Sequence, residues 1–168
     1  MEGGARQQPW RPPALRPMQE ADLPAVTRLE RDSQLFPWPA WTFRRGLRAG
    51  WSCWVLEVEG TVCAYGVLNL EEDKAHIMNL CVAASHRRRG LGSRLLAHLL
   101  VLARRRRAVL ARLEVSVVNQ SAIRLYRRFG FREQYVRRGY YPPHHAHGDA
   151  LVMTRRLLGV APTSQGGG

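Results

Sequence analysis

The sequence predicts a mixed α/β domain, with a central sheet of about six to seven strands and helices on both faces. Three observations predict it. Strand-like apolar runs alternate with segments whose apolar residues recur at helical spacing. Two helical segments precede a series of hairpin-linked runs, and two later ones each cross between strands. The length of 168 residues suits a single domain that can bury an adequate core without staples.

The elements follow in order. Residues 1–13 are rich in Gly, Gln, Arg and Pro and read as a disordered lead; GVAPTSQGGG at 159–168 reads as a disordered tail. Residues 14–158 form the domain between them. Ala14 to Met18 is a short first strand. Glu20 to Asp32 places Leu23, Val26 and Leu29 at helical spacing, with acidic residues in its first turn. Phe36-Pro37-Trp38-Pro39 breaks the chain, and Ala40 to Ala49 is a second helix. Ser52 to Val58 and Thr61 to Leu70 are strands joined at Glu59-Gly60, a hairpin signal. After the acidic turn Glu71 to Asp73, Ala75 to Val82 is the next strand. Gly90 to Arg107 is the clearest helix, with Leu91, Leu95, Leu99 and Leu102 on one stripe. Val109 to Val117 is a strand of alternating apolar residues. Asn119 to Phe129 is a helix, with Asn119 suited to its N-cap and Gly130 to the position after its end. Phe131 to Arg138 and Ala150 to Leu157 close the domain as strands.

Composition narrows the class. Apolar residues are 45% and charged residues 23%, near the globular average, which excludes wholesale disorder. No run approaches the roughly 18 apolar residues of a membrane span, and the first residues lack the apolar core of a secretory signal. The expectation is a cytoplasmic protein with no membrane partner. Cys53, Cys63 and Cys81 are odd in number and lack paired spacing, which argues against a disulfide scaffold or zinc ribbon; each reads as a small buried side chain. Lys plus Arg is 26 against 13 for Asp plus Glu, a net charge of +13. Such a surface attracts nucleic acid, phosphate-bearing cofactors or acidic membranes. Lys74 is the single lysine, and coding bias accounts for that choice of base.

The chemistry centres on AHIMNLCVAASHRRRGLGSRLL, Ala75 to Leu96. An apolar strand runs into a basic loop, two glycines and a helix. Glycines let backbone N–H groups approach an anion, and a helix N-terminus adds aligned donors and partial positive charge. Arg87, Arg88 and Arg89 add full charge. The spacing is neither a Walker loop nor the GxGxxG fingerprint; with the glycines it reads as a phosphate site, the plainer alternative being an arginine-rich solvated loop that caps a helix. A second constellation follows. Glu114 is a single acid on an apolar strand, and Tyr126 lies one and a half to two turns inside the helix opened by Asn119. A strand carboxylate can serve as a base and a tyrosine hydroxyl as an acid; an edge ion pair and a core tyrosine are the plainer readings.

These residues resemble a known family. RRRGLG (Arg87 to Gly92) is similar to the [Q/R]-x-x-G-x-[G/A] motif of the GNAT acetyltransferases, and LEVSVVNQSAIRLYRRFGF (Leu113 to Phe131) to their Asn-x-x-A-x-x-L-Y-x-x-x-G-F segment. FPWPAWTF (Phe36 to Phe43) and VRRGYYPPHHAHGDALVM (Val136 to Met153) resemble the RimI branch, the ribosomal-protein-alanine N-acetyltransferases. The likeness spans about Leu15 to Leu157 and implies the GNAT fold, acetyl-coenzyme A as co-substrate and no metal. It implies that Leu80, Cys81 and Val82 pair with the pantetheine arm. It places the pyrophosphate on Arg88, Arg89, Gly90, Leu91, Gly92 and Ser93, and Asn119 at the cofactor. Glu114 becomes the base for the substrate's α-ammonium, Tyr126 the acid for the departing thiolate, and a backbone N–H near Val82 the oxyanion donor. Cys81 is then a backbone contact, not a nucleophile.

The implied partner is a protein N-terminus, that of a small-subunit ribosomal protein, and the implied state is a monomer. Trp38, Tyr140 and Tyr141 lie in the segments that flank the branch's peptide and are either cleft walls or ordinary packing. A basic substrate meets a basic enzyme here, which slows encounter. The runs Arg87 to Arg89 and Arg104 to Arg107 are either weak contacts for ribosomal RNA or, for the second, charge favoured at a helix C-terminus. His144, His145 and His147 lack partners at zinc spacing and read as a solvated loop. The rival readings are a GNAT enzyme acetylating a lysine or small amine, and a nucleic-acid-binding module on the same fold.

Overall fold

The computed structural model describes residues 12–142 and 148–158. The lead and tail expected at 1–13 and 159–168 lie outside the described residues except for Pro12 and Pro13, and Pro13 O accepts from Arg94 Nη1 at 2.6 Å. The strands are β1 (Ala14–Pro17), β2 (Ser52–Val58), β3 (Thr61–Glu71), β4 (Lys74–Val82), β5 (Leu110–Ser116), β6 (Arg132–Arg137) and β7 (Ala150–Arg156). The helices are α1 (Leu23–Ser33), α2 (Ala40–Arg48), α3 (Leu91–Arg105) and α4 (Gln120–Arg128). No helix among the described residues is long and apolar enough to cross a membrane.

The strands form one sheet in the order β1-β2-β3-β4-β5-β7-β6. All pairings are antiparallel except β4 with β5, which is parallel. β7 inserts between β5 and β6, so the last hairpin places β6 at the edge, where all its residues are exposed. Helices cover both faces. Leu23, Val26, Leu29 of α1 and Phe43 of α2 pack with Val55, Tyr65, Val67 and Cys81. Leu96, Leu99, Leu100 of α3 and Ile123, Tyr126 of α4 pack with Ile77, Leu113 and Met153 on the opposite face. A Cβ on Gly66 would meet Leu99 Cδ1 at 3.0 Å, so the bare glycine lets α3 seat closely on β3.

Local differences from the expected elements have simple causes. The first helix starts at Leu23, not Glu20, because Pro24 fits only a first helical turn. Glu20–Asp22 is instead a single 3-10 turn, where Asp22 accepts from the Gln19 N–H at 2.8 Å and pairs with Arg16. Gly90 is the N-cap of α3, in left-handed backbone at φ 77°. A 3-10 turn at Ala84–His86, absent from the sequence reading, carries the chain out of β4. Arg104 and Arg105 close the last turn of α3, where positive charge is favoured locally. All three cysteines are buried free thiols, and burial pushes Cys53 and Cys81 up to about 11.

One buried carboxylate joins four segments. Glu30 of α1 has no exposed surface. It accepts from the Trp38 N–H at 2.8 Å, from Asn79 Nδ2 at 3.1 Å and from the Tyr65 hydroxyl. α1, the entry to α2, β3 and β4 are thereby tied at one point. A buried carboxylate without these donors would cost several kcal/mol. Burial outweighs the hydrogen bonds from Trp38 and Asn79, and Glu30 is raised to about 6. Because its folded value lies above the ordinary one, its contribution is fullest in acid and declines as pH rises through about 6. Urea unfolding of wild type and Glu30→Gln at pH 4.5 and pH 7.5 checks this. The wild type is expected to lose about 2 kcal/mol relative to the variant between the two.

Candidate active site

β4 and β5 run together only briefly. Four parallel pairs join them, from Lys74↔Leu110 to Ile77↔Leu113, and pairing then ceases. On its other edge β4 stays bonded to β3 through Val82↔Ala64. The register on that edge slips between Val67 and Leu68, which puts an extra residue, Met78, into β4. A bulge of this kind bends its strand. Met78 to Val82 therefore present one edge to a cleft and the other to the sheet. The predicted Leu80, Cys81 and Val82 all lie on this open stretch. Leu80 and Val82 point toward the α3 face and Cys81 toward α1.

β4 leads into the turn that carries Arg87, Arg88 and Arg89. Arg87 Nε donates to Val82 O at 3.2 Å. Arg88 has φ 62° and Gly90 φ 77°, so the loop doubles back tightly into α3. Leu91, Gly92 and Ser93 are the first residues of α3, whose N–H groups have no intrahelical acceptor. No side chain caps them. Open space surrounds the position a Gly90 Cβ would take. An exposed strand edge ending above free N–H donors and guanidinium groups suits a ligand with an extended amide-bearing arm and phosphates.

The other wall of the cleft is β5. Leu113 and Val115 face α3 and α4, while Glu114 points to the opposite face. Its side chain is largely covered, meets His76 Nε2 at 2.5 Å and pairs with Arg112 Nη2 at 2.9 Å. Burial alone would raise Glu114, but hydrogen bonding to His76 and the charges of His76, Arg112 and Arg137 hold it below the ordinary carboxylate value. Tyr126 comes from α4. It is buried in the apolar cluster against Phe131. Burial, then the proximity of Tyr141 and Cys81, pushes its hydroxyl well above the ordinary tyrosine range. The Asn119 side chain accepts from the Ala122 N–H at 3.1 Å, which makes it the N-cap of α4 as its position suggested.

Aromatic rings line the mouth. Phe36 stacks on Tyr141 at 4.3 Å, and Tyr141 meets Tyr140 edge-on at 4.9 Å. Arg137 lies 5.1 Å above the Tyr140 ring. Burial raises Tyr141 to about 12, and the nearby Tyr140 and Glu114 add to that shift. Of the two readings for Trp38, cleft wall or ordinary packing, its ring takes the second, against Phe43 and Trp51. His144, His145 and His147 lie outside the described residues.

Around the fork the structure thus places Glu114 on one face of the sheet and Tyr126 in the α3 and α4 cluster on the other, near Tyr141 and Cys81, with the free β4 edge running to the Arg88–Ser93 turn. The sequence reading missed His76. Its signal was a single imidazole within a largely apolar strand, two positions out of register with Glu114 across the parallel pair. It also missed Glu30, where the signal was an acid on the apolar stripe of α1.

A sheet opened between two parallel strands, with a free helix N-terminus at the open end, defines the site of transferases that take an acyl group from coenzyme A. The comparisons agree. The Acetyltransferase (GNAT) family model matches residues 23–131, and the chain belongs to that family of acetyltransferase enzymes. It is 36% identical over 132 residues to the ribosomal protein bS18 alanine N-acetyltransferase of Salmonella typhimurium, covering 79% of this chain and 89% of that one. It is 33% identical over 136 residues to the Escherichia coli enzyme of the same name, covering 81% and 92%. The crystal structure of the Escherichia coli ribosomal-protein-S18-alanine N-acetyltransferase superposes with a TM-score of 0.82 at 30% identity, over 90% of this chain and 97% of that one.

The anion site makes a direct prediction. Gly90→Asp places a carboxylate at the uncapped start of α3 and a side chain in left-handed backbone, and is expected to weaken acetyl-coenzyme A binding by about tenfold or more. Gly90→Asn, which tolerates that backbone, is expected to retain binding within about threefold. Calorimetric titration of both variants separates charge from strain.

Proposed function

We propose that this protein moves acetyl from acetyl-coenzyme A to the α-amine of a protein N-terminus, and that its substrate is the N-terminal alanine of a small-subunit ribosomal protein. The relatives of 33–36% identity carry that activity in their names. The observation that carries the reading is the covered Glu114 carboxylate, held by an ion pair with Arg112 and a hydrogen bond with His76 at the fork between β4 and β5.

In this reading Leu80, Cys81 and Val82 hold the pantetheine arm along the free β4 edge. Arg88, Arg89 and the N–H groups of Gly90, Leu91, Gly92 and Ser93 hold the pyrophosphate. Asn119 borders the cofactor at the start of α4. The bound thioester supplies an acetyl carbonyl already activated toward amines. The remaining work falls to the protein. An α-ammonium loses its proton near pH 7.7–8.0, and Glu114 receives it at a carboxylate oxygen. Tyr126, protonated throughout the neutral range, gives its hydroxyl proton to the leaving sulfur. Cys81 is pushed up to about 11 by burial, which suits a backbone contact and not a nucleophile. Phe36, Tyr140 and Tyr141 flank the entering peptide and exclude water from the amine. Positioning of amine and thioester supplies much of the rate.

Mass spectrometry of a peptide panel tests the substrate. Acetyl is expected on the free α-amine of a basic alanine-start peptide, with none on its N-terminally blocked form or on lysine side chains. Acetylation of lysine or of small amines alone contradicts the assignment. Glu114→Gln is expected to lower kcat by about 100-fold or more, with the KM for acetyl-coenzyme A nearly unchanged.

A further inference from the structure

We propose that His76 is the proton outlet of the site, taking from Glu114 the proton that Glu114 takes from the substrate amine. This rests on Glu114 being the base. The geometry points to it. His76 Nε2 lies 2.5 Å from Glu114 Oε2, so proton transfer between them needs no movement. The two residues differ in access: the Glu114 side chain is 5% exposed and the His76 side chain 27%. A proton received by the covered carboxylate therefore has a direct path to the exposed ring.

The need for an outlet follows from the charges around Glu114. Arg112 stands beside it on β5, and Arg137 adds positive charge from β6. These hold the carboxylate ionised, which favours binding an ammonium but makes the carboxylate a weak resting place for the proton. Tyr140 and Tyr141 face it from beyond β6 and add no base at neutral pH. Across the sheet His76 is opposite Asn69 on β3 and Arg112 on β5. No acid other than Glu114 is paired with His76 among the described residues.

The step balances simply. The ammonium N–H bond breaks and an O–H bond forms on Glu114. At rest Nε2–H of His76 donates to the carboxylate; once Glu114 is protonated the ring exchanges through water to its Nδ1–H tautomer, and the O–H breaks as an N–H forms at the freed Nε2. The proton on Nδ1 leaves to water, and the ring returns to its starting tautomer after exchange. Glu114 is left ionised for the next amine. No electron transfer or further reactant is required.

Two His76 variants separate relay from support. Gln at this position can hydrogen-bond Glu114 but cannot pass a proton, whereas Ala leaves a gap that free imidazole can enter. Both are assayed with the alanine-start peptide beside Glu114→Gln, and thermal melting confirms that each is folded. His76→Gln is expected to lose about 10–100-fold in kcat with little change in peptide KM. His76→Ala is expected to be similarly slow and to regain rate with added imidazole in proportion to its free-base concentration. Wild-type rates in His76→Gln, beside a slow Glu114→Gln, overturn the relay and leave the base assignment intact. A slow His76→Ala that imidazole does not accelerate also overturns the relay. A Glu114→Gln enzyme as fast as wild type overturns the base and the relay together.

Discussion

Everything at the site depends on β4 and β5 parting after four parallel pairs. Two parallel strands in the middle of a sheet ordinarily satisfy each other along their length, because unpaired backbone polar groups are costly when buried. Here the pairing stops at Ile77 and Leu113, and Met78 adds a bulge that carries β4 away. The protein keeps β4 in place from its other edge, through β3, so the open edge does not collapse. An open backbone edge must be satisfied by water or by a ligand, and this one suits a ligand that carries amides. The same parting leaves the backbone of Glu114 unpaired with β4, since its position on β5 lies just beyond the last pair.

The packing around the fork serves this geometry. Glu30 sits on the α1 side and draws together Trp38, Tyr65 and Asn79. Asn79 is next to the bulge residue, so the network holds the bent part of β4 as well as the loop that carries Phe36. That loop in turn stacks on Tyr141 from the far end of the sheet. On the other face α3 rests closely against Gly66 through Leu99, which fixes the direction of the helix whose first N–H groups no side chain caps. Core packing, loop position and anion site are thus set by contacts a few residues apart.

Most of the fold was legible in the sequence. Seven strands and four helices could be read from alternation and helical spacing, and Gly130 and Asn119 marked the ends of α4. Their boundaries agree to within a few residues, the exception at α1 arising from Pro24. The order of the last strands was less accessible, because nothing local in β6 or β7 says that β7 lies next to β5. At the site, the GxG turn, Glu114 and Tyr126 were visible because each combines an unusual residue with a strong local context. His76 was not, since its meaning comes from a register shared with a strand more than thirty residues away. Trp38 read equally as a cleft wall or as packing, and its backbone N–H donates to Glu30 while its ring packs on Phe43 and Trp51.

The claim that the fork is the reaction centre is most directly tested by a crystal structure with bound coenzyme A. The account predicts pantetheine amides hydrogen-bonded to the backbone of Leu80 to Val82, pyrophosphate on the N–H groups that open α3, and the thiol within about 3.5 Å of the Tyr126 hydroxyl. Coenzyme A bound elsewhere, or a thiol remote from both Tyr126 and Glu114, would contradict it.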